Sequence, residues 1–314
     1  MMIRIGTRDS QLALWQANTV KNVLHTLGIT SQLVHIKSDG DTDLVTPLYA
    51  MGVQGVFTKA LDASLLSNRI DIAVHSMKDV PVQLAEGLQQ AAVLKRASYK
   101  DILVYKKDIV NTFPSDINDT TILDKNFTGI IATSSIRRRA QWLHHFPNTI
   151  VENLRGNVNT RLKKLENSSW QGAIFAAAGL ERIHLRPTHS IDLNWMLPAP
   201  AQGAVMVVCR ADDKKNKQLL RSINHLPTDI CTKAERDFLN TLQGGCSAPI
   251  SALATIDEGN IILSGNIFSP DGKEKKEIKM QMPVEAAEKI GKSAGEFLLK
   301  NGADQLIRTI NTST

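Results

Sequence analysis

Two short stretches of this chain are apolar almost without interruption: Asp71-Ile72-Ala73-Val74-His75 and Ala204-Val205-Met206-Val207-Val208-Cys209. A strand with one wet face alternates polar and apolar residues, whereas a strand covered on both faces reads as a continuous apolar run. Helical patterns accompany the first run. After Ile3–Gly6, a short strand, Ser10 is a candidate N-cap, and Leu12, Gln16, Val20, Val23 and Leu27 keep a roughly helical spacing up to Gly28. Gln32–Ile36 reads as a second strand and Thr58–Leu66 as a helix. Strands alternating with helices, with the strands buried on both sides, predict an α/β fold.

The pattern repeats once and then changes. Ile102–Tyr105, Gly129–Ala132, Thr149–Glu152 and Ala173–Ala176 are strand candidates, with helices expected over Ser135–His145 and Val158–Glu166. Pro198-Ala199-Pro200-Ala201-Gln202-Gly203 breaks the chain, as at a passage from one unit to another. Beyond Asp229–Leu242, a helix ended by Gly244, alternating segments near Ala252–Ile256, Ile261–Ile267 and Lys275–Met282 predict an antiparallel meander, closed by a helix from Val284 to Lys300. A chain of 314 residues accommodates two or three such units at roughly 100–200 residues each.

Composition excludes several classes. The longest apolar runs fall far short of the ~20 residues that cross a bilayer, so no membrane partner is expected. Met1–Gly6 shows no apolar core of an export signal, and three cysteines without a C-x-x-C give no disulfide framework, which together fit a reducing cytoplasm. The net charge of +6 raises nucleic acid as a partner. Only 5% of residues are aromatic, and the central arginines are not interleaved with aromatics as a stacking platform requires. A small polyanion accounts for the charge better than nucleic acid.

That charge has a focus. Between Thr133 and Arg161 stand five arginines, Arg137, Arg138, Arg139, Arg155 and Arg161, against the single acid Glu152 and no lysine. A guanidinium is a planar fork that takes a carboxylate or phosphate through two parallel hydrogen bonds, where an ammonium is a mobile point charge. Thr133-Ser134-Ser135 adds hydroxyls, and Ser135 is placed to cap the helix that follows, whose N-terminus also favours anions. The competing reading is a solvated helix face with scattered ion pairs; the scarcity of local acids and the turn-like Arg155-Gly156-Asn157 weigh against it.

Two polar turns follow buried strands, where α/β sheets bind ligands. In His75-Ser76-Met77-Lys78-Asp79-Val80-Pro81, Asp79 is the candidate for chemistry, able to stabilise a developing cation or accept a ring N–H, with Lys78 beside it. Thr7-Arg8-Asp9-Ser10 repeats the arrangement after the first strand. Each alone is equally a plain capping turn; two on one unit favour a site. Cys246, in Gly244-Gly245-Cys246-Ser247, follows two glycines that let the backbone turn tightly and leave the thiol uncovered, as attachment or nucleophilic work needs; the competing reading is a small buried residue at a helix cap. Cys209 and Cys231 read as core and packing residues. No H-E-x-x-H, zinc spacing, G-x-S-x-G, P-loop or G-x-G-x-x-G occurs, so metal and triad chemistry are not expected.

Taken in order, Thr7–Trp15, Asp71–Pro81, Thr133–Arg138, Leu154–Val158, Ala199–Ala204 and Gly244–Cys246 resemble the porphobilinogen deaminase family, and the likeness runs from near residue 4 to the end of the chain. It implies an enzyme, a transferase that condenses porphobilinogen stepwise into the linear tetrapyrrole hydroxymethylbilane with release of ammonia. It implies a dipyrromethane cofactor joined through a thioether to Cys246. Asp79 would hold pyrrole N–H groups and steady the cation left when ammonia departs, and Arg8 would assist the leaving amine. Ser10, Lys78, Thr133, Ser135, Arg137, Arg138, Arg155, Arg161 and Arg182 would bind the carboxylates of cofactor and substrate. Arg139 is assigned no contact, because three consecutive helical positions cannot face one ligand.

The implied architecture is two α/β domains like the halves of a solute-binding protein, joined by hinges near 95–100 and 197–203, plus a C-terminal α+β domain with a three-stranded antiparallel sheet. The domains would be 1–95 with 201–222, then 100–197, then 226–314, and the enzyme a cytoplasmic monomer. The chain departs from the family in four places. Ala50 and Gln54 stand in a 48–58 loop that usually carries lysines. Asn159 replaces a usual glycine, and Glu181 an often-found lysine before Arg182. The rival reading is a non-catalytic anion receptor on the solute-binding architecture, which needs neither Cys246 nor Asp79.

Overall fold

The computed structural model describes residues 2–37, 58–106, 127–243 and 248–312. They divide into two compact units: residues up to Ser98 together with Gln202–Ile230, and Tyr99–Ala201 together with the chain from Cys231 onward.

The first unit is built on strands β1 (Ile3–Thr7), β2 (Ser31–His35), β3 (Ile72–Ser76) and β4 (Leu88–Val93), with β10 (Val205–Arg210) joining late in the sequence. Their order is β2-β1-β3-β10-β4. β1 runs parallel to β2 and β3, while β10 lies antiparallel between β3 and β4. Both apolar runs are therefore interior strands, as their composition requires. Helix α1 (Gln11–Thr26) begins at Ser10, whose hydroxyl accepts the Ala13 N–H at 3.3 Å. Its Ala17, Val20 and Leu24 pack on Ile3, Ile5, Val74, Val205 and Val207. Helix α2 (Lys59–Leu66) covers the other face, where Leu61 and Ile70 close over Gly6 and leave no room for a side chain there.

The second unit repeats this plan. Strands β5 (Asp101–Tyr105), β6 (Ile130–Ala132), β7 (Ile150–Glu152), β8 (Gly172–Ala176) and β9 (Ser190–Asp192) take the order β7-β6-β8-β5-β9. β6 is parallel to β7 and β8, and β5 is antiparallel to β8 and β9. Helices α3 (Ile136–His145), α4 (Val158–Glu166) and the short α5 (Ala177–Glu181) follow β6, β7 and β8. One face buries Leu103, Ile131, Trp142 and Phe146, and the other Val104, Ala132, Leu165 and Phe175. In each sheet the antiparallel slot holds the strand with which the chain enters that unit, β5 or β10, beside the strand with which it leaves, β9 or β4.

The same unit carries the C-terminal sheet β11 (Ile250–Asp257), β12 (Asn260–Phe268) and β13 (Lys275–Pro283), an antiparallel meander in sequence order. Helices α7 (Leu226–Thr241), which follows α6 (Lys214–Leu220), and α8 (Ala287–Leu298) pack beside it. A side chain at Gly265 would strike the Phe238 ring, and one at Gly295 would strike Thr241, so the helices seat closely. The outer strand β13 alternates exposed charges, Glu277 and Lys279, with inward residues, which blunts its free edge.

The meander and the α/β pattern follow the sequence expectations. The expected single helix over 284–300 is instead a short turn at Val284–Ala286, then α8, then a second helix α9 (Asp304–Thr312). Gly302, at φ 94°, reverses the backbone between the two and permits the second to form. The cofactor-attachment candidate Cys246 and the loop positions Ala50 and Gln54 lie outside the described residues.

The connection after β4 and the return before β10 continue the β4–β10 ladder: Leu94 N–H donates to Val205 O and Ala97 N–H to Gly203 O. Gly203 sits at φ 85°, and a Cβ there would lie 2.6 Å from Ser98 O and 2.9 Å from Ala97 O. Neither the dihedral nor the backbone approach tolerates a methyl group. Gly203→Ala is expected to cost about 2–3 kcal/mol, read as a lowered urea midpoint; an unchanged midpoint would show that the two segments are not tied as described.

Candidate active site

Polar groups gather at the carboxyl edge of each sheet. In the first unit β1 and β3 are parallel neighbours, so the turns that follow them emerge on one edge. The 3-10 turn Met77–Asp79 sends Met77 into the core and leaves Lys78 and Asp79 half-buried at the rim. Lys78 donates to Gln202 Oε1 at 3.3 Å, and Gln16 Nε2 donates to Ser76 Oγ at 2.8 Å. Asp79 has no hydrogen-bond or ion-pair partner among the described residues, so its carboxylate is available to a ligand. Arg8 is half-buried after β1, and Ser10 is committed to the α1 cap. Asp9 turns outward to His35 Nδ1 at 2.6 Å.

His75 lies on β3 just before this turn. It is 6% exposed, and its Nε2 is buried without a hydrogen-bond partner among the described residues. Burial first, and the charge of Arg8 second, hold its imidazole down at about 4, so it is neutral near pH 7.

The second unit supplies the arginines. Ser135 caps α3 by accepting the Arg138 N–H at 3.4 Å, while Thr133 Oγ1 accepts the Ser135 N–H at 3.2 Å. The next two residues of α3 turn inward onto one acid. Arg137 Nη2 meets Asp101 Oδ2 at 2.8 Å, and Arg138 grips Asp101 Oδ1 through Nε at 3.0 Å and Nη2 at 2.8 Å. Arg138 Nη1 also donates to Ile174 O. Arg137 Nη1 donates to Leu197 O at 2.7 Å, and its Nε is buried with no hydrogen-bond partner among the described residues. Burial pushes the Arg137 guanidinium below its ordinary value, with Asp101 opposing and Arg138 reinforcing.

Arg155 is buried after β7, just before Gly156, whose φ of 113° makes the tight turn into α4. Asn157 caps that helix through Thr160 N–H, and Arg161 Nε reaches back to Gly156 O at 2.7 Å. Asn159 lies within the first turn of α4 with ordinary helical geometry, so its tolerance of left-handed backbone is not called upon. Arg182, directly after α5, is buried and brought down to about 10 by that burial, with Glu181 pulling the other way. Glu181 itself pairs with Arg186 at 2.7 Å, and Arg186 with Asp192, so a surface network occupies the acid beside Arg182. Arg139 is exposed, as expected for the third consecutive helical arginine.

Among the described residues of this unit, the buried charged side chains are Arg137, Arg138, Arg155, Arg182 and Arg236 against Asp101 and Glu235. An excess of buried cations is costly unless anions complete it. The buried charge of this unit is thus a surplus of guanidinium forks, a chemistry suited to carboxylates.

The comparisons agree. The family model described as "Porphobilinogen deaminase, dipyromethane cofactor binding domain" matches residues 3–218, and that of the family's C-terminal domain matches residues 230–300. A porphobilinogen deaminase from Chloroherpeton thalassium is 38% identical over 98% of this chain and 97% of its own. The chain belongs to the porphobilinogen deaminase family. As a porphobilinogen deaminase family member it is a transferase of tetrapyrrole biosynthesis with a dipyrromethane cofactor, condensing the small molecule porphobilinogen stepwise into hydroxymethylbilane with loss of ammonia. Solved structures with a related trace include the Bordetella pertussis BvgS VFT2 domain, 10% identical over 71% of this chain and 85% of that one, TM-score 0.41. An ancestral cationic amino acid solute-binding protein is 13% identical over 70% of this chain and 89% of that one, TM-score 0.42.

The sequence reading missed the acid that organises the porphobilinogen deaminase arginines. It weighed the scarcity of carboxylates between Thr133 and Arg161, where Glu152 stands alone, but Asp101 arrives from the first strand of the unit, far away in sequence. Its only signal was a charged residue at the head of a buried strand. Gln202 and Gln16, which hold Lys78 and Ser76, carried no signal beyond being polar within apolar patterns.

Two outcomes follow from this geometry. Asp101→Asn leaves two buried guanidinium groups without their counter-charge and is expected to destabilise the protein by about 3–5 kcal/mol. Asp192→Asn, in a partly exposed network, costs under about 1 kcal/mol; equal losses in denaturant titrations would contradict the assignment of Asp101 as the central contact. The neutral His75 gives a pH signature. Its folded value, about 4, lies below the unfolded 6.5, so the unfolded chain binds the extra proton and stability falls as pH drops from about 6.5 towards 4. His75→Gln should flatten this acid limb by up to about 1.4 kcal/mol per pH unit, in unfolding curves collected across that range.

Proposed function

We propose that the two sheet edges divide the work of this transferase, the first supplying the charge that serves the reacting centre and the second the forks that hold carboxylates. Two observations, one in each unit, carry this: the buried surplus of arginine in the second, and in the first a half-buried Asp79 with no partner among the described residues.

Porphobilinogen is a pyrrole with an aminomethyl group and two carboxylate arms. Asp79 accepts the pyrrole N–H and stabilises the cation produced as ammonia leaves, an electrostatic role best filled by a carboxylate held out of bulk water. Arg8, on the neighbouring strand end, assists departure of the amine. Lys78, steadied by Gln202, and Ser10 contribute at the same edge. Thr133, Ser135, Arg137, Arg138, Arg155, Arg161 and Arg182 receive the carboxylates. Within that set Arg137 suits direct contact, its buried Nε having no hydrogen-bond partner among the described residues, and Arg138 acts mainly by fixing Asp101.

The dipyrromethane cofactor fits this donor set, being itself a pyrrole polyanion, and when bound it supplies the nucleophilic pyrrole carbon from which the product grows. Its attachment falls on Cys246, the position that the family resemblance implies; Cys209 and Cys231 are buried. The domain division 1–95 with 201–222, 100–197 and 226–314 is part of the same reading, as are a cytoplasmic monomer and the absence of nucleic-acid or membrane partners. No described helix is long and apolar enough to cross a membrane.

Intact mass spectrometry tests the assignment. The protein purified after exposure to porphobilinogen should exceed its polypeptide mass by one dipyrromethane, and Cys246→Ser should show the bare mass. Asp79→Asn should retain the cofactor mass while losing at least a hundredfold in turnover. A cofactor retained by Cys246→Ser, or near-normal turnover by Asp79→Asn, would remove the corresponding residue from the mechanism.

A further inference from the structure

Gln141 stands one helical turn after Arg137 on α3, so the two side chains leave the helix on one face. It is 2% exposed. Its carboxamide pairs with Leu197 as another backbone would: Oε1 accepts the Leu197 N–H at 2.8 Å, and Nε2 donates to Leu197 O at 2.9 Å. Nε2 also donates to Ser251 Oγ at 3.0 Å, in strand β11. Arg137 Nη1 donates to the same Leu197 carbonyl at 2.7 Å.

The Arg137 guanidinium is therefore held at two corners. One corner is Asp101 Oδ2, set by a strand of the sheet. The other is a carbonyl in a segment without regular structure, between Trp195 and the Pro198-Ala199-Pro200 stretch. The prolines donate no N–H, and the backbone bond beside Leu197 is Ala252 N–H to Pro198 O at 3.2 Å, one residue further on. Gln141 holds Leu197 itself: its bonds to the N–H before and the carbonyl after the Leu197 Cα fix the two peptide planes that meet there, and hence the direction of that carbonyl. With the second corner fixed, the plane of the guanidinium is fixed, and so is the direction of the buried Nε–H that no described residue accepts.

We propose that Gln141 is a positioning residue for substrate and cofactor binding, acting through Leu197 to orient Arg137. This rests on the reading of Arg137 as a carboxylate binder. Arg138 does not depend on Gln141, because its contacts are Asp101 and Ile174 O. A residue that served only to fasten α3 would affect stability alone. A residue that aims Arg137 affects how the protein meets carboxylates, and does so only while Arg137 is an arginine.

The test is a double-mutant cycle on Gln141→Met and Arg137→Lys, which keeps the charge and loses the fork. Two quantities are read: the time the apo-protein takes to gain the dipyrromethane mass in porphobilinogen, and KM against kcat of whatever enzyme results. Gln141→Met should slow cofactor gain about fivefold to tenfold and raise KM by a similar factor, with kcat changed less than twofold. Added to Arg137→Lys, it should change neither quantity further. If Gln141→Met lowers the thermal midpoint but leaves both quantities intact, or if its effect multiplies with that of Arg137→Lys, Gln141 is structural and the proposal fails. If Arg137→Lys alone changes nothing, the carboxylate role of Arg137 fails and the proposal with it. Should Gln141→Met not fold, Gln141→Glu keeps the volume and the acceptor for Leu197 N–H but loses the donor to Leu197 O, and the same cycle applies.

Discussion

Asp101 is the fixed point of the second unit. Its side chain is fully buried, and each of its carboxylate oxygens is assigned to an arginine, Oδ1 to Arg138 and Oδ2 to Arg137. A lone buried carboxylate or a lone buried guanidinium is costly, whereas fork-to-carboxylate geometry with both oxygens engaged recovers much of that cost and admits few alternative arrangements. Asp101 is also the first residue of β5, and its carbonyl accepts the Leu193 N–H. One residue thus joins the start of the entering strand to the helix that bears the arginines and to the segment by which the chain departs. The orientation of α3 follows from the sheet rather than from the helix's own packing alone.

The two sheets show why this junction exists. In each, three parallel strands alternate with helices, and the fourth position is taken by an antiparallel strand that arrives from outside the unit. An incoming strand lacks a local crossover to set its register. In the first unit the register of β10 is set by the ladder on both sides and by backbone bonds that extend past it, such as Met77 N–H to Ala204 O. In the second, β5 has extensions of the same kind, Ala177 N–H to Lys100 O and Lys106 N–H to Gln171 O, and the Asp101 carboxylate adds side-chain bonds to α3. Glu235 acts similarly at the exit, its two oxygens accepting the N–H groups of Ala201 and Ala254. Ala201 is at φ 61°, a dihedral that alanine adopts only when its surroundings enforce it.

Much of this was legible beforehand because it rests on local rules. Continuous apolar runs became interior strands. Ser10, Ser135 and the Arg155-Gly156-Asn157 turn took the capping and turning roles that their chemistry favours. The sheet-edge rule located both polar turns of the first unit. What escaped was non-local. The mixed direction of the sheets depends on where a distant strand inserts, and apolar composition does not distinguish parallel from antiparallel neighbours. Asp101 could not be joined to Arg137 and Arg138 from spacing, and Glu181, the acid that stands in place of a lysine before Arg182, is answered by Arg186 five positions on, across a turn. A window of sequence shows which charges are near along the chain; burial decides which are near in space.

The same burial explains why this edge is written in arginine. Enclosure brings Arg182 down from its ordinary value to about 10, which still leaves it charged near pH 7. A lysine, whose ordinary value is about two units lower, would be driven by the same enclosure close to the point where it sheds its proton. A site meant to neutralise successive carboxylates out of contact with water therefore cannot rely on ammonium groups at its most buried positions. Lysine remains usable where the edge is wetter, and there it is found: Lys78 is half-buried and paired with a neutral amide. The division between the fully buried Arg137, Arg138, Arg155 and Arg182 and the rim position of Lys78 follows the desolvation each position imposes. At Arg137, Arg138 and Arg155 the choice of arginine over lysine is, in this light, a consequence of depth; the exposed Arg139 and half-buried Arg161 are not explained by it.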